Sequence, residues 1–125
     1  MPNRILIIED DEQLATAYAE FLTEHGYEVD CASELEQAQT LLAYMPYSVV
    51  ITDLRLTKLG FGGLDLIRYV HERELDTRII VFTGYSWPEL KAEACGQGVD
   101  AFLRKPAPLQ DLAKVVRHYL AGANL

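Results

Sequence analysis

The stretch Tyr47–Asp53 reads Tyr-Ser-Val-Val-Ile-Thr-Asp, a β-branched apolar run that stops at a carboxylate. Val49, Val50 and Ile51 are consecutive rather than alternating with polar residues, and each is stiff at χ1. Such a run suits a strand buried on both faces, and that condition is met in a parallel sheet flanked by helices on either side. Asp53 then stands at the carboxyl end of the strand, the edge of an open α/β sheet where ligands bind. Taken alone, it reads equally well as a turn-forming aspartate. Three other stretches separate the two readings.

Arg4–Ile8 is a short apolar strand that runs directly into Glu9, Asp10, Asp11 and Glu12. Asp11 is placed to cap the following helix, and acids near its start favour the helix dipole. Leu14, Ala17, Tyr18, Phe21 and Leu22 fall at helical spacing, and Gly26 ends that helix as a C′ residue. Tyr27–Cys31 reads as the second strand. Ser33 and Glu36 form a capping box, Leu35, Ala38, Leu41, Leu42 and Met45 an apolar stripe, and Pro46 closes the second helix.

After the Val49–Ile51 strand comes Leu54–Gly63, a long loop containing Gly60, Gly62 and Gly63. It lacks both GxGxxG and the Lys-Ser/Thr ending of a P-loop, so it predicts no nucleotide site. Its glycines suit positive φ around a ligand. Leu64–Arg73 reads as the third helix, with Leu64, Ile67 and Val70 inward, and Arg78–Phe82 as the fourth strand, ending at Thr83-Gly84. Ser86 and Glu89 repeat the capping-box pattern with Pro88 in the first turn, which predicts a fourth helix over about 87–95. Ala101–Leu103 is the fifth strand, followed by Arg104-Lys105-Pro106. Pro108 opens a last helix carrying Leu109, Leu112, Val115, Val116, Tyr119 and Leu120. Five strands alternating with five helices predict a doubly wound, five-stranded parallel sheet of the α/β class.

A chain of 125 residues fits one domain, here taken as 1–125. The formal net charge of −8, without clustered Lys and Arg, argues against direct DNA binding, because phosphate contacts need such clusters. Apolar runs fall short of the ~18 residues of a membrane span, and the first residues lead straight into a strand, so the expectation is a cytoplasmic protein with no membrane contact. Cys31 and Cys95 form no CxxC and lack His-rich surroundings. They are expected to be small buried side chains rather than metal ligands or disulfide partners.

In this reading four strand ends bring Glu9/Asp10, Asp53, Thr83 and Lys105 to one sheet edge. Carboxylates a few Å apart repel by ~4 kcal/mol per pair at an effective dielectric of ~20, so the cluster calls for a cation or shifted pKa values. Mg²⁺ suits it, since that ion uses one or two carboxylates, keeps waters and accepts a phosphate oxygen. Lys105 supplies a point positive charge and Thr83 a hydroxyl, both suited to a phosphoryl group. The set describes phosphoryl transfer to a carboxylate nucleophile.

The motifs Ile-Leu-Ile-Ile-Glu-Asp-Asp, Val-Val-Ile-Thr-Asp-Leu, Val-Phe-Thr-Gly and Ala-Phe-Leu-Arg-Lys-Pro, in this order, resemble the receiver domain of bacterial two-component response regulators. The likeness runs from Arg4 to about Leu120. It implies a flavodoxin-like sheet order of 2-1-3-4-5 and a phosphoryl group accepted by Asp53 from a sensor histidine kinase or a phosphotransfer protein. Carried over residue by residue, Asp10 and Asp53 ligate Mg²⁺ directly, the backbone carbonyl of Arg55 is a third ligand, and Glu9 acts through water. Thr83 is the hydroxyl residue that moves toward the phosphoryl group, Phe102 the switch aromatic, and Lys105 the lysine that pairs with the phosphoryl oxygens. The resemblance also implies a cis Lys105-Pro106 peptide. Output is expected through helix four, strand five and helix five, toward a protein partner or a second copy of the chain.

Departures from the family pattern are a longer segment before Gly63-Leu64 without the usual Met-Pro, the large cation Arg55 beside the site, Tyr85 and Trp87 beyond Thr83, and no phenolic hydroxyl at Phe102. The expected activity is a switch that is phosphorylated and dephosphorylated, not a turnover enzyme. Two alternatives stand beside it. A degenerate receiver would bind partners without phosphorylation, whereas all the expected site residue types are present. An aspartyl-nucleophile phosphatase would usually place its nucleophile after strand one and carry a cap insertion; neither feature is found.

Overall fold

The structure, a computed structural model, describes residues 3–54, 62–73, 76–84, 92, 96 and 98–122. Its elements are β1 (Arg4–Ile8), α1 (Glu12–Glu24), β2 (Glu28–Ala32), α2 (Leu35–Tyr44), β3 (Val49–Thr52), α3 (Gly62–Glu72), β4 (Arg78–Thr83), β5 (Ala101–Arg104) and α4 (Leu109–Gly122). Of the helix expected over 87–95, Ala92 alone is described and it is helical, as is Gly96 just beyond it; Tyr85, Trp87 and Cys95 lie outside the described residues, as does the loop segment 55–61. Four helices have both bounds among the described residues, against five expected.

The strands form one parallel sheet in the order β2-β1-β3-β4-β5. This is the flavodoxin-like order the resemblance implied. Every residue of β3 is buried, because its two faces belong to different cores. On one face Leu6, Ile8, Val50, Ile79 and Val81 pack with Ala38 and Leu42 of α2 and with Leu66, Ile67 and Val70 of α3. On the other, Ile5, Ile7, Val49, Ile51, Ile80 and Phe82 pack with Tyr18 and Leu22 of α1 and with Leu112, Ala113 and Val116 of α4. Alternate side chains of each central strand thus drive opposite helix layers onto the sheet, and the carboxyl ends of the strands stay open.

Local signals set most helix ends. Asp11 is the N-cap of α1 and accepts from the backbone N–H groups of Gln13 and Leu14 at 3.0 and 3.2 Å, a contribution of about 1 kcal/mol. Gly26, at φ 92°, turns the chain out of that helix as expected.

Three expectations are corrected. The α1 stripe is turned toward Ala15, Tyr18 and Leu22, leaving Leu14 exposed along with Ala17; i, i+3, i+7 spacing admits more than one phase, and docking selects one. The α2 capping box does not form as Ser33/Glu36: Glu34 is the N-cap, and Gln37 Oε1 instead accepts from the Ser33 backbone N–H at 2.9 Å. Beginning the helix one residue later moves the reaching-back position from Glu36 to Gln37. Cys31 is exposed, not buried, because β2 is an edge strand with a single strand neighbour.

Candidate phosphoacceptor site

Neighbouring strands deliver the site at one height. Beyond the ladder, Glu9 N–H donates to Ala32 O (3.0 Å), Asp53 N–H to Ile8 O (3.3 Å) and Lys105 N–H to Thr83 O (2.8 Å). These bonds hold the first residue past each of β1, β3 and β5 against the end of the strand beside it. The Lys105-Pro106 peptide is cis, as the resemblance implied.

Four polar side chains meet there. Glu9 and Asp53 are buried and Thr83 is fully so. The Thr83 hydroxyl donates to Asp53 Oδ1 at 2.5 Å. Lys105 Nζ donates to Asp53 Oδ2 at 3.0 Å and to Glu9 Oε2 at 2.6 Å. The other Glu9 oxygen, Oε1, accepts from the Asp11 N–H at 3.3 Å. One ammonium thus bridges two buried carboxylates and opposes the repulsion that the sequence implied.

Electrostatics follow from this geometry. Burial pushes the Glu9 carboxyl above the usual carboxylate range, against the hydrogen bond and charge of Lys105, while the charge of Asp53 adds to the upward push. Burial pulls the Lys105 ammonium down, but its pairing with Glu9 and Asp53 outweighs this and lifts it to about 12. Lys105 is therefore a fixed positive charge across the physiological range.

Lys105 also lies against aromatic rings, with Nζ 5.7 Å from the ring centroid of Tyr18 and 5.6 Å from that of Phe82. Neither ring was assigned to the site from sequence. The available signal was aromatic side chains within otherwise aliphatic core positions of α1 and β4. The direct Glu9–Lys105 contact was likewise not expected, since Glu9 was assigned a role through water.

Asp10 is exposed, one residue beyond Glu9, and the Arg55 carbonyl lies outside the described residues. Among the described residues, no three His, Cys, Asp or Glu side chains converge as a metal-binding group. Asp53 and Asp10 are nonetheless hard oxygen donors at adjacent strand ends, and an ion that keeps several waters needs only one or two carboxylates. Phe102 is half-buried against the core shared with α3, opposite Val81 in the β4–β5 register. Gly63 has a role different from the positive φ expected of the loop glycines. A Cβ there would sit 2.2 Å from the Asp53 carbonyl oxygen, so the close approach of α3 to the end of β3 requires glycine.

The family model of the response regulator receiver domain matches residues 5–117. The C4-dicarboxylate transport transcriptional regulatory protein DctD of Pseudomonas aeruginosa is 32% identical over 122 residues, which is 98% of this chain and 26% of DctD. Regulatory protein VanRB of Enterococcus faecalis is 32% identical over 120 residues, 96% of this chain and 53% of VanRB. The chain therefore spans about a quarter and about half of these two relatives. A crystal structure of a response regulator protein from Burkholderia pseudomallei, described with a phosphorylated aspartic acid, calcium ion and citrate, is 28% identical. It superposes with a TM-score of 0.84 over 98% of this chain and 71% of that one. With a match over nearly its whole length, the strand order of the fold and the acidic, hydroxyl and lysine groups at one sheet edge, this chain belongs to the response regulator receiver domain family of two-component systems.

Proposed function

We propose that residues 1–125 act as one receiver whose Asp53 accepts a phosphoryl group from a histidine kinase or a phosphotransfer protein. The observation that carries this reading is the contact of Asp53 with the Thr83 hydroxyl through one oxygen and with the Lys105 ammonium through the other. A carboxylate oxygen of Asp53 attacks phosphorus while the bond from phosphorus to the donor atom breaks, and the donor leaves with that electron pair. Thr83 and Lys105 then exchange carboxylate oxygens for phosphoryl oxygens, and both were already desolvated and aimed at the site. Receiver domains generally bind Mg²⁺ at the phosphorylation site; here Asp10, Asp53 and the Arg55 carbonyl would hold it directly and Glu9 through water, and a bound ion would supply positive charge against the phosphoryl oxygens. Water later cleaves the acyl phosphate, so the domain is a timed switch rather than a turnover enzyme.

Thr83 and Phe102 belong to adjacent strands, β4 and β5. Drawing the Thr83 hydroxyl toward new negative charge opens space for the Phe102 ring and biases the face that includes β5 and α4. A phosphoryl group shifts that equilibrium only through contacts made in one state. The output partner is a protein or a second copy of the chain; with a net charge of −8 it is not DNA. Among the described residues no helix is long and apolar enough to cross a membrane, which accords with a cytoplasmic switch.

Incubation with acetyl phosphate and Mg²⁺ tests the reading. The expected product is a single adduct, stable in acid, labile to base and hydroxylamine, and absent from Asp53→Asn. An adduct on His71, or one that persists in Asp53→Asn, overturns it. A wild type that never reacts points to a degenerate receiver, and many turnovers point to a phosphatase.

A further inference from the structure

We infer that Tyr18 and Phe82 form an aromatic seat that positions the Lys105 ammonium at Asp53 and keeps it from collapsing onto Glu9. The inference rests on the reading of Asp53 as phosphoacceptor, and it names two positioning residues for that reaction.

Four observations carry it. First, Lys105 Nζ is shared unequally between two carboxylates, nearer Glu9 at 2.6 Å than Asp53 at 3.0 Å. Second, it lies about equally far from two ring centroids, 5.7 Å for Tyr18 and 5.6 Å for Phe82, within the ~6 Å reach of a cation–π contact. Third, the rings brace each other, with centroids 5.3 Å apart and planes tilted by 46°. Fourth, Tyr18 and Phe82 are buried and the Lys105 side chain is only 16% exposed, so competition from water is reduced. One comes from α1 and the other from β4, and both belong to the same core cluster. The seat is therefore as rigid as that core.

Its consequence lies in what Lys105 is free to do. A lysine stem is flexible and its ammonium a compact point charge, so the shorter contact to Glu9 pulls it away from Asp53. Ring faces on the remaining side add an attraction that does not discriminate between the carboxylates, and they limit how far the stem can swing. When the phosphoryl group arrives, the ammonium is already beside Asp53 and needs only to change acceptor.

The test is the acetyl phosphate reaction in Tyr18→Leu, Tyr18→Phe and both changes in a Lys105→Ala background. Tyr18→Leu is expected to slow Asp53 phosphorylation about tenfold, the size of one desolvated cation–π contact. Tyr18→Phe, which keeps the ring face, stays within about twofold of wild type on the same reasoning. Without Lys105 the ring has nothing to position, so Tyr18→Leu adds no further loss there; a general packing defect slows both backgrounds alike. Equal loss in both backgrounds, or a Tyr18→Phe variant as slow as Tyr18→Leu, overturns the seat. An independent readout is the proton resonance of the Lys105 ε-methylene, which ring currents move upfield in wild type and which returns toward the free-lysine position in Tyr18→Leu. An unshifted wild-type resonance also overturns the seat. If Asp53 proves unreactive while the resonance is shifted, the phosphoacceptor reading fails and the seat stands.

Discussion

Replacing Lys105 with Met leaves an apolar stem near Tyr18 and Phe82 and removes the charge that bridges Glu9 and Asp53. At an effective dielectric of about 20, contacts of 2.6 and 3.0 Å each represent roughly 6 kcal/mol of gross attraction. Most of this is offset, because the ammonium no longer pays its own desolvation and water relaxes around the carboxylates. Removing one partner of a buried pair costs about 3–5 kcal/mol, and the partial exposure of the Lys105 side chain, 16%, favours the lower end. The expected loss is about 3 kcal/mol at pH 7.5, read by urea unfolding in metal-free buffer with circular dichroism. The sign of its pH dependence is set by Glu9. Burial already raises the folded Glu9 carboxyl, and Lys105 is what opposes the rise, so its removal raises Glu9 further. A carboxyl raised in the folded state costs nothing below its unfolded value, near 4.5. The cost grows as pH rises toward the folded value and is complete above it. The deficit of Lys105→Met is therefore smaller at pH 5.5 than at pH 7.5. Adding Glu9→Gln, which removes one of the two stranded charges, restores a large part of it. In the wild type, with Lys105 lifted to about 12, the lysine's contribution holds below its unfolded value of 10.5 and is lost as pH climbs through 12. A deficit identical at pH 5.5 and 7.5, or a double variant no more stable than Lys105→Met, would refute the bridging argument.

Gly63→Ala places a Cβ 2.2 Å from the Asp53 carbonyl oxygen and 2.6 Å from Leu54 Cα, and backbone atoms cannot swing aside. The expected cost is about 2–3 kcal/mol, seen as a melting temperature lowered by roughly 10 °C; an unchanged melting curve contradicts the close approach of α3. Asp10→Asn should weaken Mg²⁺ binding about tenfold or more, since it removes one of the few carboxylates such an ion uses; unchanged affinity by calorimetric titration removes Asp10 from the proposed ligand set.

Where chemistry acts within a few residues, the sequence was sufficient. The β-branched run at Val49–Ile51 and the apolar run of Arg4–Ile8 read as strands, because short, stiff apolar runs suit a pleated segment buried on both faces. Asp11 and Gly26 mark the ends of α1, because capping and positive φ are local requirements. The same locality placed Glu9, Asp53, Thr83 and Lys105 at strand ends, and parallel strands necessarily share an edge. The sheet order came from family resemblance, since each crossover obeys the same handedness whichever neighbour it reaches. Contacts across the chain were a different matter. Glu9 and Lys105 are 96 residues apart, and no spacing rule announces that they touch at a shorter distance than Lys105 and Asp53. Tyr18 read simply as a member of a helical stripe, and only the docking of α1 on β4 sets its ring against Phe82 and beneath an ammonium. Leu14 and Cys31 failed to be buried for the same reason in reverse. Periodicity allows several helix phases, and apolar character does not say which strand becomes an edge. Those outcomes follow from how whole elements pack, where many weak contacts are satisfied together and no single residue carries the information.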